Sequence, residues 1–257
     1  MKIGIGMPIP NLASLPGASR PGGGGTPVPP PPPPPPPPFP NTKSLLLNGS
    51  SSIATTNQSG WGASFTWSAW VKLTTSSGYS AIYYPAQAQA PIYSFTPYFM
   101  FSEISGTTNL VYGYNNSSGN VTEYKSNTTI NTGSWIHVLL RKSSGALSLF
   151  INGQLDNAPA ATDPSSYPSG AATIGNLPSF IGNGLGVNGN IDELSLFNYA
   201  LSDPQIDSIW NNGTPADVSS LNPINWWRFE NNGNDSGSGG NTATLNSTTT
   251  YSPLTPP

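Results

Sequence analysis

The sequence predicts an all-β protein: two antiparallel sheets packed face to face, with one short helix, preceded by an extended Pro/Gly-rich arm. Three observations predict it. Apolar residues recur with period two in short runs, the spacing of a strand with one buried face. Clusters of Gly, Asn, Ser and Pro bound those runs roughly every 10–15 residues. Only 7% of the 257 residues are charged, against 28 Gly and 29 Pro, which suits tight turns and an uncharged surface better than a helical enzyme.

The arm comes first. Residues 22–25 are four glycines and residues 29–38 are ten consecutive prolines. Ten prolines form a stiff polyproline II rod of roughly 30 Å, at about 3.1 Å per residue. Ahead of the glycine hinge lie Ile3, Ile5, Met7, Ile9, Leu12 and Leu15, on a segment with no core of its own. Residues 1–21 therefore read as an anchor peptide that orders on another protein, residues 22–40 as hinge and rod, and residues 41–257 as the folded domain. A disordered tail is the alternative. Pro8, Pro10 and Pro16 interrupt the N-terminus, a poor fit to a signal peptide, so synthesis in a cytoplasm is expected. No apolar run is long enough to span a membrane. The net charge of −3 and the lack of a basic patch argue against nucleic acid, and the lack of cysteine removes disulfides and thiolate metal sites.

Strands are expected at Ser44–Leu47, Phe65–Leu73, Ile82–Tyr84, Tyr98–Phe101, Asn109–Tyr114, Val121–Lys125, Trp135–Arg141, Ala146–Ile151, Ala172–Ile174, Gly189–Phe197, Ile224–Phe229 and Thr242–Leu245. Phe65, Trp67, Ala69 and Val71 alternate with Thr66, Ser68, Trp70 and Lys72. Asn152-Gly153 is a strong hairpin signal. Ile191, Leu194, Leu196 and, past a half-step, Tyr199 read as one buried face. Ser202 then opens a short helix as N-cap, with Gln205 as capping-box partner and Pro204 in the first turn. Ile206, Ile209 and Trp210 form its apolar face, and Gly213 is expected to stop it.

Four phrases carry a family resemblance. Phe65–Lys72 (FTWSAWVK), Gly133–Val138 (GSWIHV) with Leu147–Gly153 (LSLFING), Ile174-Gly-Asn176, and Asn188–Trp210 (NGNIDELSLFNYALSDPQIDSIW) resemble the signatures of laminin-G-like, concanavalin A-like lectin domains. That resemblance implies a jelly roll over about Lys43 to Gly213. A segment like Ile224–Glu230 followed by Asp235-Ser-Gly usually opens such domains, whereas here it closes the chain. The whole layout of head peptide, proline rod and lobe is similar to structural proteins encoded by tailed phages. This implies a virion protein anchored to a capsid or tail by its arm, for decoration or adhesion to surface glycans, with a homo-oligomer compatible. A secreted or cell-surface carbohydrate-binding module, extracellular, is the alternative.

No catalytic residues are expected. A glycosidase of this fold needs two carboxylates flanking one sugar bond, and none of the 11 acids shows the Glu-x-Asp-x-x-Glu pattern. Asp192 and Glu193 are adjacent, so on a regular strand they point to opposite faces. His137, the single histidine, lies in a core-like strand and reads as packed. By the resemblance, Asp192 is the candidate calcium ligand, the alternative being that it caps turn amides. Tyr83, Tyr84, Tyr93 and Tyr98 lie in an aromatic-rich stretch and are the candidate glycan platform, with a covering or inter-subunit loop as the alternative. Of Trp226 and Trp227, neighbours on a strand, one should face the core and the other outward.

Overall fold

The computed structural model describes residues 39–51, 53–54, 61–85, 97–115, 121–162, 170–177 and 185–257. The candidate anchor residues Ile3, Ile5, Met7, Ile9, Leu12 and Leu15, and Tyr93, lie outside them.

Fifteen strands are described: β1 Ser44–Asn48, β2 Ile53–Ala54, β3 Ser64–Thr75, β4 Tyr79–Tyr84, β5 Pro97–Ile104, β6 Thr107–Asn115, β7 Val121–Lys125, β8 Trp135–Ser143, β9 Ala146–Ile151, β10 Gln154–Asn157, β11 Thr173–Ile174, β12 Asn188–Phe197, β13 Asn225–Trp227, β14 Thr244–Leu245 and β15 Thr250–Ser252. The first sheet runs β10-β9-β8-β3-β12-β1-β15, with β13 also paired to β12, and the second runs β14-β2-β11-β4-β5-β6-β7. The named pairings are antiparallel throughout. Each expected strand is present in whole or part. The two- to four-residue strands β2, β10 and β15 escaped the sequence, because so short a run cannot display a period.

The alternation in β3 shows how the layers form. Phe65, Trp67, Ala69 and Val71 enter the core between the sheets. Thr66, Ser68 and Trp70, on the other face, are also buried, because the helix α1 (Asp203–Trp210) and the chain after it cover that side. There Leu139, Phe150, Phe197, Ile206, Ile209 and Trp226 make a second apolar cluster. A third, on the outer face of the other sheet, joins Ala81, Tyr84, Tyr98, Met100 and Val111 to Leu177. Trp227 packs in the central core and Trp226 in the cluster under α1, so the two tryptophans split across the sheet as expected.

The helix begins where the capping signal puts it: the Ser202 N–H donates to Gln205 Oε1 at 2.9 Å. Its last residue, Trp210, lies three before Gly213. Asn211, in the left-handed region at φ 45°, is the C-cap, and its N–H donates to Asp207 O. Asn tolerates that conformation, so no glycine was needed. Among the described residues no helix is long and apolar enough to cross a membrane.

Candidate functional site

The geometry of the acid pair is set by one extra residue in β12. Asp192 pairs with Trp70 and Ser195 with Ser68, so three steps along β12 match two along β3. Glu193 takes the left-handed conformation at φ 48°, a β-bulge. The bulge lets Ile191, Leu194 and Leu196 all enter the central core. This corrects the sequence reading twice. The half-step lies at the acids and not before Tyr199, which packs in the outer cluster. Asp192 and Glu193, caught between two core residues, also lie on the same outer side and not on opposite faces.

Both acids are buried. Asp192 Oδ1 accepts from the Glu193 N–H at 2.9 Å and Oδ2 from Asn41 Nδ2 at 3.0 Å. Glu193 accepts from Trp226 Nε1 at 2.6 Å and faces Arg228 Nε at 3.5 Å. Burial pushes the Glu193 carboxyl up to about 8, against the pull of Arg228 and Trp226. Burial first, and then the Glu193 charge, hold Asp192 well above the usual carboxylate range.

The root of the arm closes over this pair. Phe39 stacks on Trp226 at 5.7 Å and 17°, and the Arg228 guanidinium lies 4.0 Å from the Phe39 ring centre. Arg228 also donates to Pro40 O. Glu230 accepts from the Thr42 N–H at 2.8 Å and from the Thr42 hydroxyl at 2.5 Å. Sequence reasoning missed Phe39, Asn41, Arg228 and Glu230. Their contacts bridge more than 150 residues, and no local pattern announces that.

The oxygens around Asp192 bear on a calcium ion. Its carboxylate, which already accepts from the Glu193 N–H and Asn41 Nδ2, and the buried Asn41 Oδ1, which has no hydrogen-bond partner, are hard oxygens but make up only part of the roughly six to eight that calcium takes. Among the described residues no group of three or more His, Cys, Asp or Glu side chains could hold a metal.

The tyrosine platform is corrected. Tyr83 is fully buried, edge-on to Trp67 at 5.1 Å and 81°. Tyr84 and Tyr98 are buried on the outer face of the second sheet. The Tyr98 ring lies across Gly113, where an added Cβ would meet it at 2.4 Å, and its hydroxyl donates to Glu123 Oε1 at 3.0 Å. Tyr79, on the same strand as Tyr83 and Tyr84, is the exposed one at 38%.

His137 is fully buried. Its Nε2 lies 2.8 Å from Ser68 Oγ and its ring packs against Trp70 and Trp210. Burial lowers it to about 3, and no carboxylate is among these neighbours, so the pair lacks the parts of a nucleophilic triad. Among the described residues, shallow clefts open elsewhere, one of about 230 Å³ lined by Asn, Ser, Thr and Gly around Asn48 and Asn188, and one of about 210 Å³ beside Trp135 and Asn152.

With two antiparallel sheets, a capped helix after β12 and a core shared between the layers, the molecule is a lectin-type jelly-roll sandwich. Residues 47–207 match the concanavalin A-like lectin/glucanases superfamily, of laminin G type, and the chain belongs to that family. A comparison with curated proteins found no match. Among solved structures the chain is similar to a candidate carbohydrate-binding protein from Bacteroides ovatus (17% identity, 85% of this chain and 62% of that one, TM-score 0.64). It is also similar to a heptameric SAP-like pentraxin from Limulus polyphemus (17% identity, 82% of this chain and 94% of that one, TM-score 0.59). At such identities the likeness establishes the fold. The chain spans under two thirds of the Bacteroides protein.

Proposed function

We propose that the domain is a non-catalytic, lectin-like carbohydrate-binding module that works at an extracellular surface. The observation that carries this reading is the sealed acid pair in a lectin/glucanase sandwich. Asp192 and Glu193 are buried beneath the root of the arm and engaged by Asn41, Trp226 and Arg228. Buried there, they are not placed to flank a glycosidic bond, and the likeness to a candidate carbohydrate-binding protein supports the binding half of the reading. A calcium ion held by Asp192 and Asn41 belongs to this reading as a structural brace that would displace the proton burial favours on Asp192. The test is a glycan array probed with the full chain, in calcium and in EDTA. Binding to a defined set of glycans without release of sugar is expected; sugar release would overturn the non-catalytic assignment. A melting temperature unmoved by EDTA would remove the calcium ion.

A second reading places the module on a virion, held through residues 1–21 with the proline segment as spacer, and multimeric there. The layout of four glycines, ten prolines and an apolar head supports it. Deleting residues 1–25 should then abolish association with purified particles, and retained association would remove the anchor.

A further inference from the structure

We propose that the cleft between the loop before β8 and the β9–β10 turn is a binding site for one neutral sugar unit. The proposal rests on the carbohydrate-binding reading and adds to it a place and a ligand class.

The lining has two parts. Trp135, Ile136 and Ile151 are the apolar residues of the lining, Ile136 and Ile151 at the edge of the central core and Trp135 on the alternate face of β8, while Thr129, Asn131 and Asn152 bring hydroxyl and amide groups. A sugar ring asks for this combination: its C–H face lies against an apolar or aromatic wall, and its hydroxyls pair with groups that both donate and accept. The cleft around Asn48 and Asn188 offers hydroxyls, amides and glycine backbone but no apolar side chain, so it answers only half of that requirement.

The walls are fixed before any ligand arrives. Asp156 on β10 accepts from the Asn127 N–H at 2.5 Å and the Thr128 N–H at 3.0 Å, and the Asn127 amide returns a bond to Asp156 O at 2.7 Å. Further along, the Ile130 N–H donates to Thr108 O at 2.8 Å and the Gly133 N–H to Leu73 O at 2.7 Å. The Ile130 side chain is buried in the central core. On the opposite wall, Asn152 Oδ1 accepts from the His137 N–H at 3.0 Å, and the Asn152 N–H donates to His137 O at 2.9 Å. This commits the amide oxygen and leaves Nδ2 to donate to a ligand. A preformed wall removes part of the ordering cost that limits weak polar binding.

Size and charge define the ligand. The volume of about 210 Å³ falls below the roughly 300–1,000 Å³ of sites for drug-sized molecules, which suits a single terminal ring. No ionisable side chain is among the lining residues, so nothing there would balance the carboxylate of a sialic or uronic acid. Neutral hexoses and N-acetylhexosamines are the class.

The experiment titrates the full chain with galactose, glucose, mannose, N-acetylglucosamine, N-acetylneuraminic acid and glucuronic acid, by calorimetry and saturation-transfer NMR. Trp135→Ala, Asn131→Ala and, in the other cleft, Ser77→Ala are compared after circular dichroism shows each folded. A neutral sugar should bind. Loss of one hydrogen bond in Asn131→Ala should weaken it about 2- to 10-fold, Trp135→Ala should weaken it more, and Ser77→Ala should leave it unchanged. Asn131 is exposed, so its variant tests the site even if Trp135→Ala does not fold. A wild type that binds a neutral sugar with unchanged affinity in Asn131→Ala would overturn the site but leave the module a sugar binder. Binding of acidic sugars alone would overturn the ligand class, and no binding of any sugar would overturn both.

Discussion

Glu193 shows how much one backbone angle decides. At φ 48° a non-glycine residue costs about 1–2 kcal/mol, and the bulge it makes places two carboxyls side by side in the dry outer layer. Their adjacency was legible in the sequence; their common side was not, because a bulge is set by the strands that flank it and not by the residues it contains. The burial of His137 was legible, since the run around it is apolar on both sides. The two sites bear on pH in opposite directions. The folded state raises Glu193 from the usual 4.5 to about 8, so its contribution to stability is full below about pH 4.5 and is lost as pH rises to 8. The folded state lowers His137 from 6.5 to about 3, so its contribution is full above pH 6.5 and is lost as pH falls. Stability should therefore be broad near pH 4.5–6.5 and decline on both sides. Between pH 6.5 and 8 the Glu193 carboxyl would remove on the order of 2 kcal/mol, or about 4–8 °C of melting temperature for a chain of this size. Thermal unfolding by circular dichroism across pH checks it, and Glu193→Gln should make the alkaline limb shallower; an alkaline limb as steep as wild type would show that Glu193 is not its source.

Among the elements, the β9–β10 turn joins local chemistry to a distant contact. Asn152 and Gly153 both have positive φ, 49° and 74°, the two-residue hairpin that Asn-Gly announces. Gly153 is required for a second reason that the sequence conceals. A Cβ there would come within 2.5 Å of the Trp210 ring, which is itself stacked on Trp70 at 5.3 Å and 22°. Gly153→Ala combines a disfavoured backbone angle with overpacking against the end of α1, and should cost about 1–3 kcal/mol. Urea unfolding should show a lower midpoint at unchanged m; a midpoint within error of wild type would mean that Trp210 moves aside freely. The start of α1 was legible because a capping box spans four residues. Its end was not, because Asn211 served where glycine was expected. The tyrosines of β4 and β5 misled for a related reason: a dense aromatic run looks like a surface platform until a second layer of side chains covers it.

Across the whole molecule, β12 carries most of the topology. Its first half pairs with β1 and its second half with β13 on one side, while β3 lies along the other. The family phrases made the sandwich legible as far as the helix. The place of β13 was not, since that segment lies beyond the stretch those phrases cover, yet it comes to lie in line with β1 along β12. The last strand closes on the first: Ser44 pairs with Ser252 and Leu46 with Thr250, and the Ser44 hydroxyl donates to Leu254 O at 2.5 Å. The segments leading into β1 and out of β15 therefore meet at the same end of one antiparallel ladder. This has a mechanical consequence. Tension applied between Asn41 and Pro257 loads the β1–β15 rungs one at a time, so β15 should peel away at low force before the sandwich yields. In single-molecule pulling this would appear as a small early extension, whereas one all-or-none rupture would contradict it. A domain tethered by these two ends would lengthen slightly under shear and keep its clefts intact.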